Sequence, residues 1–335
     1  MRSLAPSLLV LASTSLTACA PPANNGDNNN DPVGGGRAQL VTWTRGDDVY
    51  ALDVDSGVER NISTELVRDS RGSDRWLVPS AGGAFFALGG DVGSGDGDVL
   101  VRASADLVDV EVVRPGGAPV YLEGLPAITD DGATVFFAAS GGPHALDLWR
   151  SDRNTDGTWS APTVLTASST VAFNNQPSLS RDEARLLFNC GAERDPESGD
   201  TAACGVDVNG GSVDVLVAPD TLSNGRNTFV NFPRDAGDHI VFEGSWPQGD
   251  GEPPETLWQR HNDDAPTPAI ARTYDNTVSP CVLGNGEIVA LWLGREGSGG
   301  AHELTLLPAD NSFTTLAAVD VSDIGIGCTT RVIDQ

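Results

Sequence analysis

The sequence predicts an all-β protein, a β-propeller of six four-stranded blades. Three observations carry that prediction. A short phrase recurs five times along the chain, at intervals of roughly fifty residues. Each interval holds four strand-like segments divided by Gly, Asp, Asn and Pro turns, which is the content of one propeller blade. No stretch of the chain keeps a helical apolar period.

The elements follow in chain order. Met1 and Arg2 give a basic start, Leu4 to Leu16 is mostly apolar, and Leu16-Thr17-Ala18-Cys19 ends the segment. Charged start, apolar core and small residues are the order of an export signal. The apolar run is short for a membrane span of ~20 residues. A cysteine directly after the small residues resembles the lipobox of bacterial lipoproteins. That resemblance implies cleavage before Cys19, so residues 1–18 form the signal peptide. It also implies a diacylglycerol on the Cys19 thiol and an acylated new amine. Several acyl chains, at ~0.8 kcal/mol per buried CH₂, make a stable anchor. In Gram-negative lipoproteins an Asp after the cysteine tends to retain the protein in the inner membrane. Ala20 stands there, so the expected place is the outer membrane, facing periplasm or cell surface. Residues 19–37 are rich in Pro, Asn and Gly, build no core, and read as a flexible tether.

Residues 38–335 carry the propeller. The acidic balance of the whole chain is strong: Asp+Glu 47 against Lys+Arg 20, a net charge of −27, with no lysine. Nucleic acid binding needs Lys and Arg against phosphates, so a nucleic acid partner is not expected. The same charge favours solubility and attracts cations. Hydrophobic residues make up 39%, and their regular runs separate the chain from acidic disordered sequences.

The first blade is incomplete. Leu40–Trp43, Val49–Leu52 and Val58–Ile62 read as its second, third and fourth strands. The copies of the phrase then begin: Trp76 to Phe86, Pro126 to Phe137, Pro177 to Phe188, Asn231 to Phe242 and Pro280 to Leu291. We anchor them on Phe86, Phe137, Phe188, Phe242 and Leu291. Each copy sets a short strand, an Asp/Gly/Asn turn with Asx or left-handed geometry, and a stiff apolar strand with β-branched and aromatic residues. A third strand follows, such as Ala145–Arg150, and a fourth, such as Thr163–Leu165. Ile324 to Val332 is left over and can supply the missing innermost strand of the first blade. Closing the ring this way removes exposed edges.

The phrase Pro177, Ser180, Asp182, Leu186, Phe188 resembles the repeats of TolB-type β-propellers, with Glu183 where Gly is usual. Pro126, Thr129, Asp131, Gly132, Val135 and Phe137 match as well, followed by Asp147-Leu148-Trp149. The resemblance spans roughly residues 38–335 and implies a fold; propellers host many functions.

Four cysteines remain after Cys19, and an even number in an exported chain predicts two disulfides. Cys190 and Cys204 flank a hairpin loop, and we expect them to pair. Cys281 lies in the first strand of the sixth blade and Cys328 in the closing strand. Their pairing would lock the seam of the ring.

Candidate sites are few. The acidic loop with Asp91, Asp96 and Asp98 offers oxygen ligands for Ca²⁺, or is a solvated turn. Asn154-Thr155-Asp156-Gly157-Thr158-Trp159 resembles the structural Asp-box hairpin of sialidases. His144, His239, His261 and His302 are scattered, without metal-protease or nucleophile motifs, and read as surface residues. The loops entering the innermost strands carry Glu123; Asn174, Asn175 and Gln176; Arg226 and Asn227; Tyr274, Asp275 and Asn276. Amides and charges ringing one channel mouth can hold a protein, peptidoglycan-linked material or a glycan. The expected function is therefore binding, by a monomer that needs no cofactor beyond the Ca²⁺ candidate. The alternative is a polysaccharide lyase or glycosidase with paired carboxylates in the channel. TolB-like lyases acting on pectic fragments use a histidine and metal set at the channel mouth, and no residue-by-residue match to it is found here. TolB itself has an additional N-terminal domain where this chain has the tether.

Overall fold

The N-terminal and C-terminal strands share one blade and so close the ring. The computed structural model describes residues 39–66, 75–90, 99–193, 201–219, 228–245, 256–270, 277–294, 302–307, 313–319 and 325–331, all within the unit Val33–Gln335. The first blade has β1 (Leu40–Arg45), β2 (Asp48–Asp53) and β3 (Glu59–Asn61). The second has β4 (Arg75–Pro79), β5 (Phe85–Gly90), β6 (Val99–Ser104) and β7 (Val110–Val112). The third has β8 (Ala127–Ile128), β9 (Thr134–Ala139), β10 (Asp147–Asp152) and β11 (Thr163–Val164). The fourth has β12 (Phe173–Leu179), β13 (Arg185–Gly191), β14 (Ala202–Asp207) and β15 (Asp214–Val217). The fifth has β16 (Val230–Asp235), β17 (Ile240–Gly244), β18 (Thr256–Arg260) and β19 (Thr267–Pro268). The sixth has β20 (Thr277–Val282), β21 (Ile288–Trp292), β22 (His302–Leu307) and β23 (Thr314–Val319).

The last strand, β24 (Gly327–Cys328), pairs antiparallel with β1, Val41 opposite Cys328 and Thr42 opposite Gly327. The first sheet therefore runs β24-β1-β2-β3, and the other five run in sequence order. This is the six-bladed, C-terminally closed propeller the repeat predicts. Helix among the described residues is limited to one turn at Ile62–Glu65, capped by Asn61, and a short 3₁₀ turn at Pro115–Gly117.

Packing explains why the strands read as apolar runs. Each blade is covered on both faces by its neighbours, so alternate residues of a strand serve two different cores. Phe136 joins the cluster between the third and fourth blades, with Leu148, Leu186 and Phe188. Phe137, next in the chain, joins the cluster between the second and third, with Leu100 and Val135. Equivalent clusters fill every other junction, including the seam between the sixth blade and the first, where Trp43, Leu291, Ile326 and Cys328 meet.

The repeated turn works as its residue types imply. Ser180 Oγ donates to Asp182 Oδ1 at 2.6 Å, the Ala184 amide donates to the same oxygen, and the Arg185 amide donates back to Ser180 Oγ. Thr129, Asp131, Ala133 and Thr134 repeat the pattern. The hydroxyl and amide donors hold the Asp182 carboxyl below its ordinary range. Gly132 needs its left-handed φ of 64° and has no space for a side chain: a Cβ would lie 2.7 Å from the Phe85 ring. Glu183 takes the same conformation at φ 58°. Its carboxylate accepts the Asp130 amide of the neighbouring blade at 2.8 Å, a bond glycine could not make.

Several sequence expectations shift. Aligned by the hydrogen bond across this turn, Phe188 corresponds to Phe137, Phe242, Leu88 and Ala290. The anchors Phe86 and Leu291 are therefore displaced: Phe86 by two residues on the same face, and Leu291 by one, onto the face toward the first blade. For Leu291 the cause is a turn shorter by one residue, Leu283 to Glu287 against Ser180 to Arg185; the turn before Phe86, Ser80 to Phe85, has the full length, and Phe86 is an apolar residue of the same strand two positions early. The third strand of the third blade starts at Asp147, not Ala145. Cys204 lies inside β14 instead of before it.

Both expected disulfides are present, Cys190–Cys204 and Cys281–Cys328, each with Cα atoms 5.9 Å apart. Cys190 sits opposite Ala202, and Cys204 opposite Phe188, so the first bridge runs diagonally across one strand pair. The second joins the sixth blade to the strand that closes the first.

Candidate functional site

Antiparallel order sorts the connections onto two faces. One face carries the tight turns between the first and second strands and between the third and fourth. The other carries the longer loops and the blade-to-blade entries. The innermost strands wall a central channel between these faces. Val78, Ala127, Ser178, Arg234, Cys281 and Gly327 contribute to its wall, one from each blade. The cavity is about 40 Å³. That holds a few waters, since one needs ≳ 10–15 Å³, and is far below the ~300–1,000 Å³ of a ligand pocket. The wall is largely apolar. Among the described residues lining it, Arg234 is the ionisable one.

Arg234 is buried, its Nε donates to Pro280 O at 3.0 Å and its Nη2 to Ile326 O at 3.4 Å. Burial alone lowers its pKa to about 10. It thus ties the fifth blade to the sixth and to the closing segment. On the turn face two further arginines cross between blades. Arg181 Nη2 donates to Leu283 O at 3.0 Å, and Arg331 Nε and Nη2 donate to Arg181 O at 3.2 and 2.8 Å. Asp130 accepts Ser80 Oγ and the Gly82 amide, both at 2.9 Å, and Asp235 accepts the Arg181 amide at 2.8 Å. The turn-face end is laced from blade to blade. The sequence hides this lacing, because its partners lie far apart along the chain.

The loop-face end is more irregular. Innermost strands of four blades carry a bulge with a left-handed residue: Trp76, Gln176, Phe232 and Ser279. Such conformations cost of order 1–3 kcal/mol each. Their recurrence in four blades makes them a property of the ring. At Gln176 the side chain crosses to the third blade, where its Oε1 accepts the Leu125 amide at 3.1 Å. Close by runs a buried polar row that sequence reasoning missed. Asn189 Nδ2 donates to Asn231 Oδ1; Asn231 Nδ2 donates to Glu243 Oε1 at 3.1 Å; the Ser279 amide donates to Glu243 Oε2 at 2.6 Å. The row joins the fourth, fifth and sixth blades.

The predicted rim residues fall into three groups. Asn174 and Asn175 lie within β12, not in a loop. Asn174 is fully buried: its Nδ2 donates to Leu146 O at 3.2 Å, and its Oδ1 accepts Ser169 Oγ at 2.8 Å. That amide fastens the fourth blade to the third. Asn175 is half-buried, opposite Asn189. Glu123 sits in the entry to the third blade and is half-buried. Arg226, Asn227, Asp275 and Asn276 lie outside the described residues, as do Asp91, Asp96, Asp98 and Cys19.

The Asp-box hairpin is structural, as its residues imply. Asp156 Oδ1 accepts the Thr158 amide and hydroxyl, and Trp159 packs between the second and third blades. The histidines divide. His144 presents its backbone amide and Nδ1 to the fully buried Asp147, at 2.9 and 2.8 Å, and Thr166 Oγ1 donates to the same carboxylate. His302 opens strand β22 rather than standing in a loop. His239 and His261 stack with ring centroids 4.5 Å apart beside Asp238, a cluster their sequence positions did not indicate.

These features define a six-bladed β-propeller closed by its C-terminal strand, with a small apolar cavity in the turn-face half of its channel. Solved structures share that architecture. TolB from Acinetobacter baumannii is 15% identical, with a TM-score of 0.56 over 87% of this chain and 65% of its own. A protein assigned as TolB from Agrobacterium tumefaciens is 16% identical, with a TM-score of 0.56 over 89% of this chain and 93% of its own. The hydrazine synthase of Kuenenia stuttgartiensis is 12% identical, with a TM-score of 0.60 over 90% of this chain and 48% of its own. The chain thus spans just under two thirds of the Acinetobacter TolB and about half of the hydrazine synthase chain. The fold is a TolB-like six-bladed β-propeller. No protein-family model and no curated protein matches the sequence.

Proposed function

We propose that the protein is an envelope lipoprotein whose propeller is a binding module, engaging a protein, peptidoglycan-linked or glycan partner at the loop-face mouth. The observation that carries this reading is the channel. Its turn-face half encloses about 40 Å³ walled mainly by apolar side chains, too little for a sugar ring, and a partner is left with the loop-face mouth. Glycoside hydrolysis needs two carboxyl groups about 5–10 Å apart across the substrate. Among the described residues the channel wall offers an arginine and a disulfide in their place. The TolB-like fold supports a binding role as analogy.

The test is a glycan array and a peptidoglycan pull-down with the purified chain, alongside a variant carrying Arg226→Ala, Asn227→Ala, Asp275→Ala and Asn276→Ala. Saturable binding that the variant weakens tenfold or more, with unchanged melting, is expected. Release of unsaturated or reducing ends from a polysaccharide would favour the enzyme reading instead.

Anchoring is tested separately. Leu16-Thr17-Ala18-Cys19 supports lipid on Cys19, and Ala20, in the place where Asp favours inner-membrane retention, supports placement in the outer membrane. No helix among the described residues is long and apolar enough to cross a membrane. Radiolabelled palmitate should enter the wild-type chain and not Cys19→Ala, which should leave the membrane fraction. Equal labelling of both would refute the anchor.

A further inference from the structure

Outside the channel, the fifth blade carries an arrangement that neither the repeat nor its packing requires. Ile240 of β17 pairs with Arg260 of β18. One step beyond that pair, on the turn face, His239 and His261 stand opposite each other. Their rings lie 4.5 Å apart, inclined by 30°. Asp238, on the turn leading into β17, places Oδ1 2.6 Å from His239 Nδ1 and Oδ2 4.0 Å from His261 Nδ1. One ligand atom from each of the three residues lies within 4.8 Å of the other two.

We infer that Asp238, His239 and His261 form a site for a divalent metal ion of borderline softness, with Zn²⁺ the fitting occupant. Two imidazoles and one carboxylate are donors that hard Ca²⁺ and Mg²⁺ do not select, since both prefer all-oxygen shells. Zinc accepts the set, with the fourth, tetrahedral position left to water. Ligands at ~2.1 Å from a tetrahedral ion stand about 3.4 Å apart. Asp238 and His239 stand closer than that, at 2.6 Å, and His261 farther, at 4.0 Å, so the exposed Asp238 and partly exposed His261, which have rotamer freedom, shift to take an ion. The paired strands that His239 and His261 flank, joined at Ile240 and Arg260, set their spacing. Arg260, the neighbour in sequence, directs its guanidinium away, to the backbone oxygens of Asp264 and Leu216. No basic side chain of that strand end therefore competes with the ion. A chain of net charge −27 adds a field that concentrates cations at its surface.

That field also binds cations without selectivity, so the experiment separates the two effects. The full chain, free of any histidine tag, is titrated calorimetrically with Zn²⁺ in excess Ca²⁺, which occupies oxygen-only sites. Co²⁺ titration, followed by visible absorption, reports low-symmetry nitrogen ligation. One Zn²⁺ per chain and Co²⁺ absorption bands are expected. His239→Ala and His261→Ala should each weaken Zn²⁺ binding at least about tenfold, and the double variant should lose the Co²⁺ bands while melting as the wild type does in chelator. Absence of saturable Zn²⁺ binding over the Ca²⁺ background, or binding that persists in the double variant, would overturn the inference.

Discussion

Phe188→Ala should cost about 3–5 kcal/mol of folding stability and lower the urea midpoint correspondingly, with no change attributable to a ligand site. The ring is completely buried. It stands at the junction of the third and fourth blades, among Phe136, Leu148, Leu186 and Cys204. Removing it leaves a cavity between two sheets held by their strands and by the Cys190–Cys204 bridge, so the walls have little freedom to collapse. The cost should therefore fall toward the upper end. Asp182→Ala, at the turn before the same strand, should cost about 1 kcal/mol, because it removes exposed hydrogen bonds to Ser180 and Ala184. Val215→Ala, on the outer strand with 61% exposure, should stay within about 0.5 kcal/mol. Equal midpoints for Phe188→Ala and Val215→Ala would remove the blade assignment, because the repeat places Phe188 at the centre of a two-sheet core.

The propeller was legible because each blade restates one physical solution. A polar residue that closes the turn, a residue in the left-handed region, and an apolar strand packed on both faces leave a pattern in local sequence. Ser180, Asp182 and Phe188 show it, and so do Thr129, Asp131 and Phe137. The closing strand was legible by counting: the first blade lacked a strand, and the C-terminal segment was spare. The cysteine pairs followed from that count.

What was not legible depends on residues brought together from separate blades. Asn174 looked like a rim amide because the sequence placed it in the loop entering an innermost strand, whereas it lies inside β12. Its fixed partners, the Leu146 carbonyl and Ser169, appear only once the third and fourth blades are docked. Nothing in the local sequence marks Arg181 and Arg331, which the turn-face crossings place against backbone carbonyls. Asn231 opens one copy of the repeat and Glu243 directly follows it, and the alternation of the strands there hid a buried polar row. His239 and His261 became neighbours through the register of β17 with β18, which a sequence of separated histidines does not state. The rim itself was only partly testable, since Arg226, Asn227, Asp275 and Asn276 lie outside the described residues.

Replacing Cys281 and Cys328 together by alanine should destabilise the protein by about 4 kcal/mol, the chain-entropy value for a bridge closing a loop of 47 residues. The matching Cys190→Ala, Cys204→Ala variant, with a separation of 14, should lose about 3 kcal/mol. The two should differ more in where they open than in how much they lose. The inner bridge closes one hairpin whose strands remain paired over the whole of β13 and β14. The seam bridge holds a strand of two residues. Apart from it, β24 and its flanks are retained by the pairing with Val41 and Thr42, by the Thr329 amide on Leu40 O, and by the Thr330 and Arg331 amides on Ala81 O, with Arg234 on Ile326 O and Arg331 on Arg181 O. Those bonds reach the first, second, fourth and fifth blades; the disulfide is the covalent tie to the sixth. Without it, the covalent tie between the two sides of the closure is gone, and β1 gains an unpaired edge whenever β24 lifts. Native-state hydrogen exchange should then accelerate at Val41, Thr42, Gly327 and Cys328→Ala well below the global unfolding free energy, while β13 and β14 keep their protection. In the Cys190→Ala, Cys204→Ala variant the seam amides should stay protected up to global unfolding. If the seam amides of the Cys281→Ala, Cys328→Ala variant exchange only by global unfolding, ring closure rests on the hydrogen bonds and the Trp43 core alone, and the bridge is not the lock of the propeller.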